Sequence, residues 1–256
     1  MDREELAELQ KLIDTYSRIV FFGGAGVSTA SGIPDFRSAD GLYNNMGSEY
    51  AKYHPEYLLS SDCLYHEPAL FFKFYSSMLD TREFEPNAAH YKLAELEKAG
   101  KMTGVVTQNI DGLHQRAGSE KVYELHSSVE RVHCDSCGKR FLGDAIFGHF
   151  DDLPDDASGE DLIPRCDVCG GMIRPDVTLY GESLPEDQIM GAINAIRTAD
   201  MMIIAGTSLV VYPAAGFVDY FEGDKVVLMN IEATHRDSWA DLVIRDPMAE
   251  VFAEIV

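Results

Sequence analysis

Residues 18–38, RIVFFGGAGVSTASGIPDFRS, join a short apolar run to a glycine-rich loop. This order is typical of the strand and phosphate-binding turn of a dinucleotide-binding fold, in which glycines let backbone N–H groups approach phosphate. A G-x-G-x-x-G pattern that begins at Gly24 fails at its third glycine, because Thr29 occupies that position. The chain then continues through Pro34 and Phe36 instead of a run of helix-forming residues. The stretch therefore indicates a nucleotide loop that departs from the dehydrogenase pattern.

Short apolar runs recur along the chain, and segments with helical spacing separate them. The runs are RIVFF at 18–22, GVVT at 104–107, KVYEL at 121–125, MMIIA at 201–205, KVVLM at 225–229 and LVI at 242–244. The helical segments are 5–16, 88–99 and 185–198. This alternation predicts an α/β fold: a Rossmann-like parallel sheet with helices on both faces.

Polar residues follow several of these runs, at the edge where open parallel sheets bind their ligands. Gln108, His126, Thr207 and Asn230 each stand close behind the end of a run. Turns favour glycine, asparagine and serine for conformational reasons, which accounts for part of this pattern. It accounts poorly for His126 and for the QNID run at 108–111, which are therefore candidate site residues.

Two segments interrupt the alternation and divide the chain into units. Residues 40–81 are rich in Tyr, Phe, Leu and His with little strand alternation, which predicts a helical insert. Residues 131–174 hold four paired cysteines and predict a zinc-binding module. The Rossmann-like domain would then consist of residues 1–39, 82–130 and 175–256.

The four cysteines of the second segment form two C-x-x-C pairs: Cys134 with Cys137, and Cys166 with Cys169. Two such pairs can supply four thiolates in a tetrahedron, the geometry of structural Zn²⁺. Since protein ligands would fill all four positions, the metal would have no open position for a substrate. The sequence predicts a structural zinc ion, with the neighbouring His133 outside its ligand set.

Composition restricts the class of partner and the compartment. The formal net charge is −22, from 43 acidic and 21 basic residues. Such a surface repels nucleic acid and attracts basic protein segments, although solubility alone is also a reason for acidity. The N-terminal residues MDREELAELQ do not resemble a secretion signal, and no apolar stretch is long enough to cross a membrane. We therefore expect a cytoplasmic protein with no membrane or nucleic-acid partner.

Taken in order, the motifs resemble those of the sirtuins, NAD-dependent protein-lysine deacetylases, and in particular the bacterial zinc-containing type. They are GAGVSTASGIPDFR at 24–37, TQNIDGLHQRAG at 107–118, ELH at 124–126, the two C-x-x-C pairs, YGE at 180–182, GTSLVVYPAA at 206–215 and MNIEAT at 229–234. The resemblance covers nearly the whole chain. Such long, ordered motifs are far more specific than a lone G-x-G.

The resemblance implies a role for each matching residue. Gln108 and Asn109 would hold the nicotinamide ribose of NAD, and His126 would be the general base, with Asn109 counted beside it as catalytic. The full set of implied NAD contacts is Gly24, Ala25, Gly26, Thr29, Phe36, Arg37, Gln108, Asn109, Ile110, Asp111, Gly206, Thr207, Ser208, Asn230, Glu232 and Met248. The acyl-lysine peptide would add as a strand along Val177, Thr178, Leu179, Tyr180, Gly181 and Glu182.

The resemblance also implies the reaction. An acetyl or other short apolar acyl group would pass from lysine to ADP-ribose, with release of nicotinamide, so that NAD is consumed as a co-substrate. A neutral histidine suits the activation of a ribose hydroxyl, because its pKa lies near neutral pH. Family members that remove dicarboxylic acyl groups have a tyrosine and an arginine three residues apart. Here Tyr75 is followed by Met78 in that position, which disfavours succinyl-lysine.

Two residues depart from the family pattern, and three other functions remain open. Ser127 follows the catalytic histidine where glycine is usual, and Thr178 stands where an aliphatic residue is commoner. Protein mono-ADP-ribosyl transfer is one alternative, although it does not require the histidine of the ELH motif. A second alternative is a catalytically weak NAD-sensing or zinc-bearing binding module, which the departure at Ser127 would indicate. A hydride-transferring dehydrogenase is the least favoured, because the third glycine is missing.

Overall fold

The computed structural model describes residues 2–256, and its centre is a six-stranded sheet in which every neighbouring pair of strands is parallel. Its strands are β1 (Ile19–Gly23), β2 (Met102–Thr107), β3 (Val122–Glu124), β7 (Met201–Ala205), β8 (Lys225–Met229) and β9 (Leu242–Ile244). They lie in the order β3-β2-β1-β7-β8-β9. Each of the six apolar runs is therefore a strand, and the expected parallel sheet is confirmed.

Both faces of the sheet are buried, which explains why its strands read as continuous apolar runs. In β1, Phe21 points to one core and Val20 and Phe22 point to the other. The first face packs against α1 (Arg3–Thr15), α5 (Ala88–Lys98) and α9 (Met248–Glu254). The second packs against α8 (Glu186–Thr198) and the 3₁₀ segment Ala214–Tyr220. The predicted helices on both faces are thus confirmed.

From β1 the chain adds β2 and β3 on one side of the sheet and β7, β8 and β9 on the other. The order of the strands therefore reverses between β1 and β7, and a crevice lies at the ends of these two strands. In open parallel sheets this switch point is the usual ligand site. The loop after β1 forms two short 3₁₀ turns, Ala25–Val27 and Thr29–Ser31, in place of the long helix of a dehydrogenase. The loop after β7 begins at Gly206, and these two loops meet over the carboxyl edge of the sheet.

A second structural unit lies beside this edge. Its helices are α2 (Pro55–Leu58), α3 (Ser61–His66), α4 (Pro68–Leu79) and α7 (Asp144–Asp151). The short α6 (Leu113–Arg116) does not belong to this unit, because it follows β2 in the main sheet domain. Its antiparallel sheet has the order β5-β4-β6, with β4 at Arg131–Cys134, β5 at Arg140–Leu142 and β6 at Ile173–Pro175. Further 3₁₀ turns lie at Leu42–Asn44, Gly159–Leu162 and Asp237–Trp239. No helix within residues 2–256 is long and apolar enough to cross a membrane.

The helical insert and the cysteine-bearing segment, which the sequence presents as separate units, share one core. The ring of Tyr75 on α4 stacks between Phe71 and Phe147, with both pairs of ring centroids 5.6 Å apart. Phe147 belongs to α7, within the cysteine-bearing segment. The same cluster of buried residues includes Cys134 and Cys166. The aromatic content of residues 40–81 therefore serves packing against the zinc module.

Two histidines are buried under the sheet domain, away from the cleft. His90 on α5 and His114 on α6 lie with ring centroids 4.8 Å apart. His90 Nδ1 accepts a hydrogen bond from the backbone N–H of Asn87 at 3.2 Å, as part of a capping box at the start of α5. Burial lowers the pKa of His90 to about 4 and lowers that of His114 well below its ordinary value. Both rings are therefore neutral packing residues at neutral pH.

These depressed pKa values predict a loss of stability in mild acid. The unfolded chain protonates both histidines below pH 6.5, whereas folded His90 stays neutral down to about pH 4. Since the unfolded state then binds more protons, the free energy of unfolding decreases as pH falls through this window. His90→Gln keeps an acceptor for the helix cap and removes one titration. We expect it to reduce the slope by up to about 1.4 kcal/mol per pH unit.

Urea unfolding at several pH values between 6.5 and 4 measures this slope. His235→Gln, at an exposed histidine, is the matched control and should leave the slope unchanged. Equal slopes in His90→Gln and in the parent protein would contradict the assignment of His90 as a buried neutral group.

Candidate active site

A cavity of about 960 Å³ lies at the carboxyl edge of the main sheet. The loops after β1, β2, β7 and β8 line it, together with His126 and the segment 177–182. All of the predicted NAD and peptide residues border this cavity except Gly24 and Asp111. Asp111 borders a smaller adjoining cavity of about 40 Å³, and Gly24 packs beneath the loop. The structure thus brings together residues that are far apart in the chain.

The glycines of the first loop are required by contact with the second. The N–H of Gly26 donates to the carbonyl of Gly206 at 2.9 Å, and the N–H of Gly24 donates to that of Ala205 at 3.2 Å. A Cβ on Gly26 would lie 2.7 Å from the Cα of Gly206. Gly206 itself has φ +62°, which favours glycine. The close packing of two backbones, as much as access to a ligand, explains these glycines.

The backbone N–H of Ala25, in the first loop, remains available for a ligand. Since Gly24 and Gly26 donate to carbonyls of the chain, their N–H groups are engaged. The N–H of Ala25, between them, donates to no acceptor within residues 2–256. Thr29, the residue that replaces the third glycine, donates its hydroxyl to the carbonyl of Gly26 at 3.0 Å. Thr29 therefore stabilises the turn on which Ala25 is presented.

Gln108 spans the junction between the two halves of the cleft. Its Oε1 accepts a hydrogen bond from the Thr207 hydroxyl at 3.0 Å, which joins the loops after β2 and β7. Its Nε2 is buried and donates to no atom of residues 2–256. Because a buried amide without an acceptor is unfavourable, this nitrogen is suited to donate to a ligand in the cavity.

A hydrogen-bonded group of three residues lies at the floor of the cleft. The Ser28 hydroxyl donates to Asp111 Oδ2 at 2.6 Å and accepts from Asn109 Nδ2 at 3.1 Å. Asp111 Oδ1 also accepts the N–H of Leu113 at 2.9 Å. Burial raises the pKa of Asp111, while the bond from Ser28 opposes that shift. Ser28 was not among the predicted site residues, although it lies within the glycine-rich stretch.

His126 is oriented by a carbonyl of the neighbouring strand end. Its Nδ1 lies 2.8 Å from the carbonyl oxygen of Gln108. A carbonyl can only accept, so Nδ1 carries the proton in the neutral ring and Nε2 has a free lone pair. Burial lowers the pKa of His126, and the positive charge of Arg37 acts in the same direction. The ring is therefore a neutral base on the wall of the cavity.

Ser127, which stands where the family usually has glycine, has φ +60°. A residue with a side chain costs about 1–2 kcal/mol in this left-handed region. Its N–H donates to the Glu124 carbonyl at 3.0 Å, and its hydroxyl accepts from Arg131 Nη2 at 3.4 Å. Arg131 also pairs with the buried carboxylate of Glu124 at 2.5 Å. These contacts stabilise the turn after His126 against the backbone strain.

Residues 34–45 fold over one end of the cavity. We call them the cofactor loop, because the resemblance implies that Phe36 and Arg37 contact NAD. Asp35 Oδ1 accepts the N–H groups of Arg37 and Ser38, each at 2.8 Å. The rings of Phe36 and Tyr43 pack edge to face, with centroids 5.5 Å apart. The guanidinium of Arg37 lies 5.5 Å from the Tyr43 ring centroid. Tyr43 is a cavity residue that the sequence motifs did not indicate.

Residues 177–182, which we call the substrate segment after the role that the resemblance implies, are held on both sides. The N–H of Thr178 donates to the carbonyl of His126 at 3.0 Å, so Thr178 lies on the cavity wall beside the histidine. Arg174, which is buried, forms two hydrogen bonds to Glu182 at 2.8 and 3.0 Å. Glu182 in turn accepts the N–H of Leu179 at 3.0 Å. The segment is thus anchored to the sheet that carries the cysteines.

The far end of the cavity lies over β8 and β9. Asn230 Nδ2 donates to the carbonyl of Glu232 at 2.9 Å. Arg245 Nη1 donates to the carbonyls of both residues, at 2.8 and 2.9 Å, and orders this loop. Met248 begins α9 and is buried against the sheet domain while it borders the cavity. Ser208 also borders it, beside Thr207.

The four paired cysteines come together as expected. The sulfur atoms of Cys134, Cys137, Cys166 and Cys169 all lie within 4.8 Å of one another. Gly138 and Gly170 follow the two knuckles with φ +72° and +71°, which turns each loop tightly around the sulfurs. Four thiolates at this spacing fit a tetrahedral Zn²⁺. His133 Nδ1 instead contacts Asp176 at 2.5 Å.

The sequence resembles a known family and several bacterial proteins. Residues 24–213 match the model of the Sir2 family. An NAD-dependent protein deacetylase of Clostridium acetobutylicum is 47% identical over 253 residues, with 99% of this chain and 98% of that protein covered. One from Staphylococcus aureus is 42% identical, with 99% of both chains covered.

Solved structures also resemble this fold over nearly the whole length of both chains. Sir2 bound to a p53 peptide and NAD⁺ matches with a TM-score of 0.82 and 36% identity, covering 98% of this chain and 96% of that one. Sir2 with a deacetylated p53 peptide and 3′-O-acetyl ADP ribose matches with a TM-score of 0.84 and 36% identity, covering 97% and 96%. Sir2 bound to an acetylated peptide matches with a TM-score of 0.82, 35% identity and coverage of 98% and 96%.

The cysteine geometry predicts that one zinc ion stabilises the protein without taking part in chemistry. Cys169→Ala should remove the metal, because three thiolates bind Zn²⁺ much more weakly than four. We expect the melting temperature to fall by roughly 10 °C or more, since the core around Tyr75 includes two of the cysteines. Metal analysis and calorimetry measure the two quantities.

Cys63→Ala is the matched control, because Cys63 is a buried cysteine outside the cluster. It should retain about one zinc per chain. A zinc-free Cys169→Ala protein that melts with the parent would show that the metal does not hold this unit together.

Proposed function

The chain belongs to the Sir2 family, and from this membership and the site geometry we propose that it removes acetyl groups from protein lysines and consumes NAD as it does so. The relatives named above are NAD-dependent protein deacetylases. The observation that carries the proposal is the orientation of His126, whose free Nε2 belongs to a neutral ring on the cavity wall. A neutral base beside the substrate segment is what transfer of an acyl group to a hydroxyl requires.

In this proposal the two sides of the cavity hold different reactants. The NAD residues named above from the sequence would line one side, and the acyl-lysine peptide would run along residues 177–182. NAD supplies the ribose hydroxyl that accepts the acyl group. His126 Nε2 would accept the proton of that hydroxyl through the ribose diol. The Gln108 carbonyl meanwhile accepts a hydrogen bond from Nδ1–H and keeps the ring in one tautomer.

The buried polar residues at the cleft floor would position the nicotinamide end of NAD. Asp111 and Asn109 are already fixed to Ser28, so their side chains need little reordering when a ligand arrives. The Ile110 side chain would pack against the nicotinamide ring. The unpartnered Nε2 of Gln108 would donate to a ribose oxygen. Ser28 thereby joins the proposed site as a positioning residue.

The acyl group would be short and apolar. Val177, Ile110, Leu79 and Phe36 border the cavity, and Thr178 adds one hydroxyl to its wall. Tyr75 is fully buried in the core and does not border the cavity. Met78 stands where a dicarboxylate-binding member of the family has arginine. A succinyl carboxylate would therefore find neither of the two expected partners.

The charge balance and the cysteines extend the proposal to partners and compartment. With a net charge of −22, the protein would favour acetyl-lysine segments that carry further basic residues. Four thiolates reserved for a metal, with no disulfide among the described residues, suit the reducing cytoplasm. We also propose the three-part division of the chain described from the sequence, with the insert and zinc module packed on one another.

Three other functions would use the same cleft. Mono-ADP-ribosyl transfer to a protein would need the NAD residues but no base for the ribose hydroxyl. An NAD-binding module without turnover would be favoured if the strain at Ser127 misplaced His126. Against this, the ring of His126 keeps its hydrogen bond to Gln108 despite the positive φ of its neighbour. A dehydrogenase would reduce NAD, which new near-ultraviolet absorbance would reveal.

The proposal predicts the effect of removing the base. His126→Ala should lower turnover of an acetyl-lysine peptide by at least about 100-fold, because general-base catalysis supplies about 10²–10⁴ in rate. Mass spectrometry of the peptide and release of nicotinamide measure the loss. His149→Ala changes a histidine of the zinc module whose ring contacts Asp161, and it should leave turnover near the parent value.

The same experiment has a pH arm. Because burial depresses the pKa of His126, its neutral form persists below pH 6.5. Activity should therefore be flat through neutrality and fall only on the acid side of that value. Retained peptide turnover in His126→Ala would contradict the deacetylase assignment. A mass gain on the peptide instead of a loss would favour ADP-ribosyl transfer.

A further inference from the structure

The hydroxyl of Tyr180 lies where the substrate segment meets the cofactor loop. Arg37 Nη2 donates to this oxygen at 3.1 Å. The Tyr43 hydroxyl lies 3.2 Å from it, and either phenol can donate to the other. Two residues of the cofactor loop therefore converge on one atom of the segment along which the peptide is proposed to run.

We propose that the Tyr180 hydroxyl is a positioning group that fixes the cofactor loop to the substrate segment and thereby couples peptide binding to NAD binding. The inference rests on the proposed function, since it assigns a role within that same site. A phenylalanine at this position would keep the ring and lose every one of these contacts. The hydroxyl is thus the specific feature to which the coupling is assigned.

Hydrogen bonds fix the backbone of Tyr180 on both sides. Its N–H donates to the carbonyl of Leu59 at 3.0 Å, and its carbonyl accepts the N–H of Ser61 at 3.0 Å. Two residues further on, Glu182 is paired with the buried Arg174. The phenol therefore projects from a rigid support, and its oxygen has a defined position for the loop to contact.

Contacts within the loop organise its side of the interaction. Tyr43 is joined to Phe36 by a backbone hydrogen bond of 3.0 Å and by their ring contact. Burial raises the pKa of Tyr43, so its hydroxyl stays protonated and can donate. Phe36 and Arg37 both border the cavity. The hydroxyl of Tyr180 therefore sets the position of residues that face the NAD side.

The Tyr180 hydroxyl is the better of two acceptors that can hold the Arg37 guanidinium in place. The other acceptor near Arg37 Nη2 is Glu56 at 3.6 Å, and that carboxylate is half exposed. Exposed ion pairs contribute little to positioning, because water and salt screen them. The hydrogen bond to the Tyr180 phenol is shorter, at 3.1 Å, and more directional than this ion pair. Without it, Arg37 would sample several positions and bind a phosphate less well.

The coupling can be measured with ADP-ribose, which carries both phosphates of NAD but no nicotinamide and therefore cannot react. Its dissociation constant is determined by calorimetry with and without a saturating acetyl-lysine peptide. In the parent protein we expect the peptide to tighten ADP-ribose binding by about 5-fold or more. In Tyr180→Phe we expect weaker binding by about 10-fold and a peptide effect of less than about 2-fold.

Tyr57→Phe is the matched control, because it removes a hydroxyl of the helical insert that contacts Glu67 instead of the cofactor loop. It should retain the parent's peptide effect. In turnover, Tyr180→Phe should raise the KM for NAD much more than it lowers kcat. A protein that was only destabilised would show a lower melting temperature without this selective change.

Two results would overturn the inference. Tyr180→Phe could show the same peptide effect as the parent, in which case the hydroxyl does not couple the sites. It could also bind ADP-ribose more tightly, which would mean that the phenol competes with phosphate for Arg37. Neither result depends on catalysis. Failure of the deacetylase proposal would appear separately, as an absence of peptide turnover in the parent protein.

Discussion

The contact between the backbones of Gly26 and Gly206 is the constraint on which the cleft depends. β1 and β7 are neighbours at the point where the sheet changes direction, so the loops that follow them must pass within van der Waals distance. A hydrogen bond of 2.9 Å joins them, and a Cβ on Gly206 would lie 2.5 Å from the nitrogen of Val27. This close approach places Thr207 beside Gln108 at the carboxyl edge of the sheet.

The neighbouring strands then add the rest of the site in their order across the sheet. β2 adds Gln108 and the residues up to Asp111, and β3 leads to His126. The carbonyl of Gln108 then selects the tautomer of the histidine, so one backbone atom connects the loop after β2 with the base. The zinc unit contributes indirectly, because Arg174 holds the segment on which the peptide would lie. Fold, cleft and metal are therefore parts of one arrangement.

The sequence predicted the sheet well, because strands that are buried on both faces leave unbroken apolar runs. It also indicated the cysteine cluster, since two C-x-x-C pairs have few other uses in a chain of this kind. Ser28 and Tyr43 could not be found in this way. Their roles depend on which side chains meet across the cleft, and a serine in a loop or a tyrosine in an aromatic insert has no distinctive local pattern.

The shared core of the helical insert and the zinc module was likewise hidden. Spacing along the chain separates Tyr75 from Phe147, and only the fold places their rings in contact. The reason for the glycines was understood only in part. Their absence of side chains was expected to admit phosphate, but in the structure Gly24 and Gly26 also make room for the neighbouring loop. A sequence pattern shows that a side chain is missing without showing what occupies its place.

The central claim is that the acetyl group leaves lysine by transfer to ADP-ribose within this cleft. The most direct measurement uses a peptide whose acetyl-lysine carries ¹³C in the acetyl group and follows the label by mass spectrometry. The account predicts that the label appears as an ester of ADP-ribose, with one nicotinamide released for each lysine freed. Labelled free acetate as the first product, with NAD left intact, would contradict it.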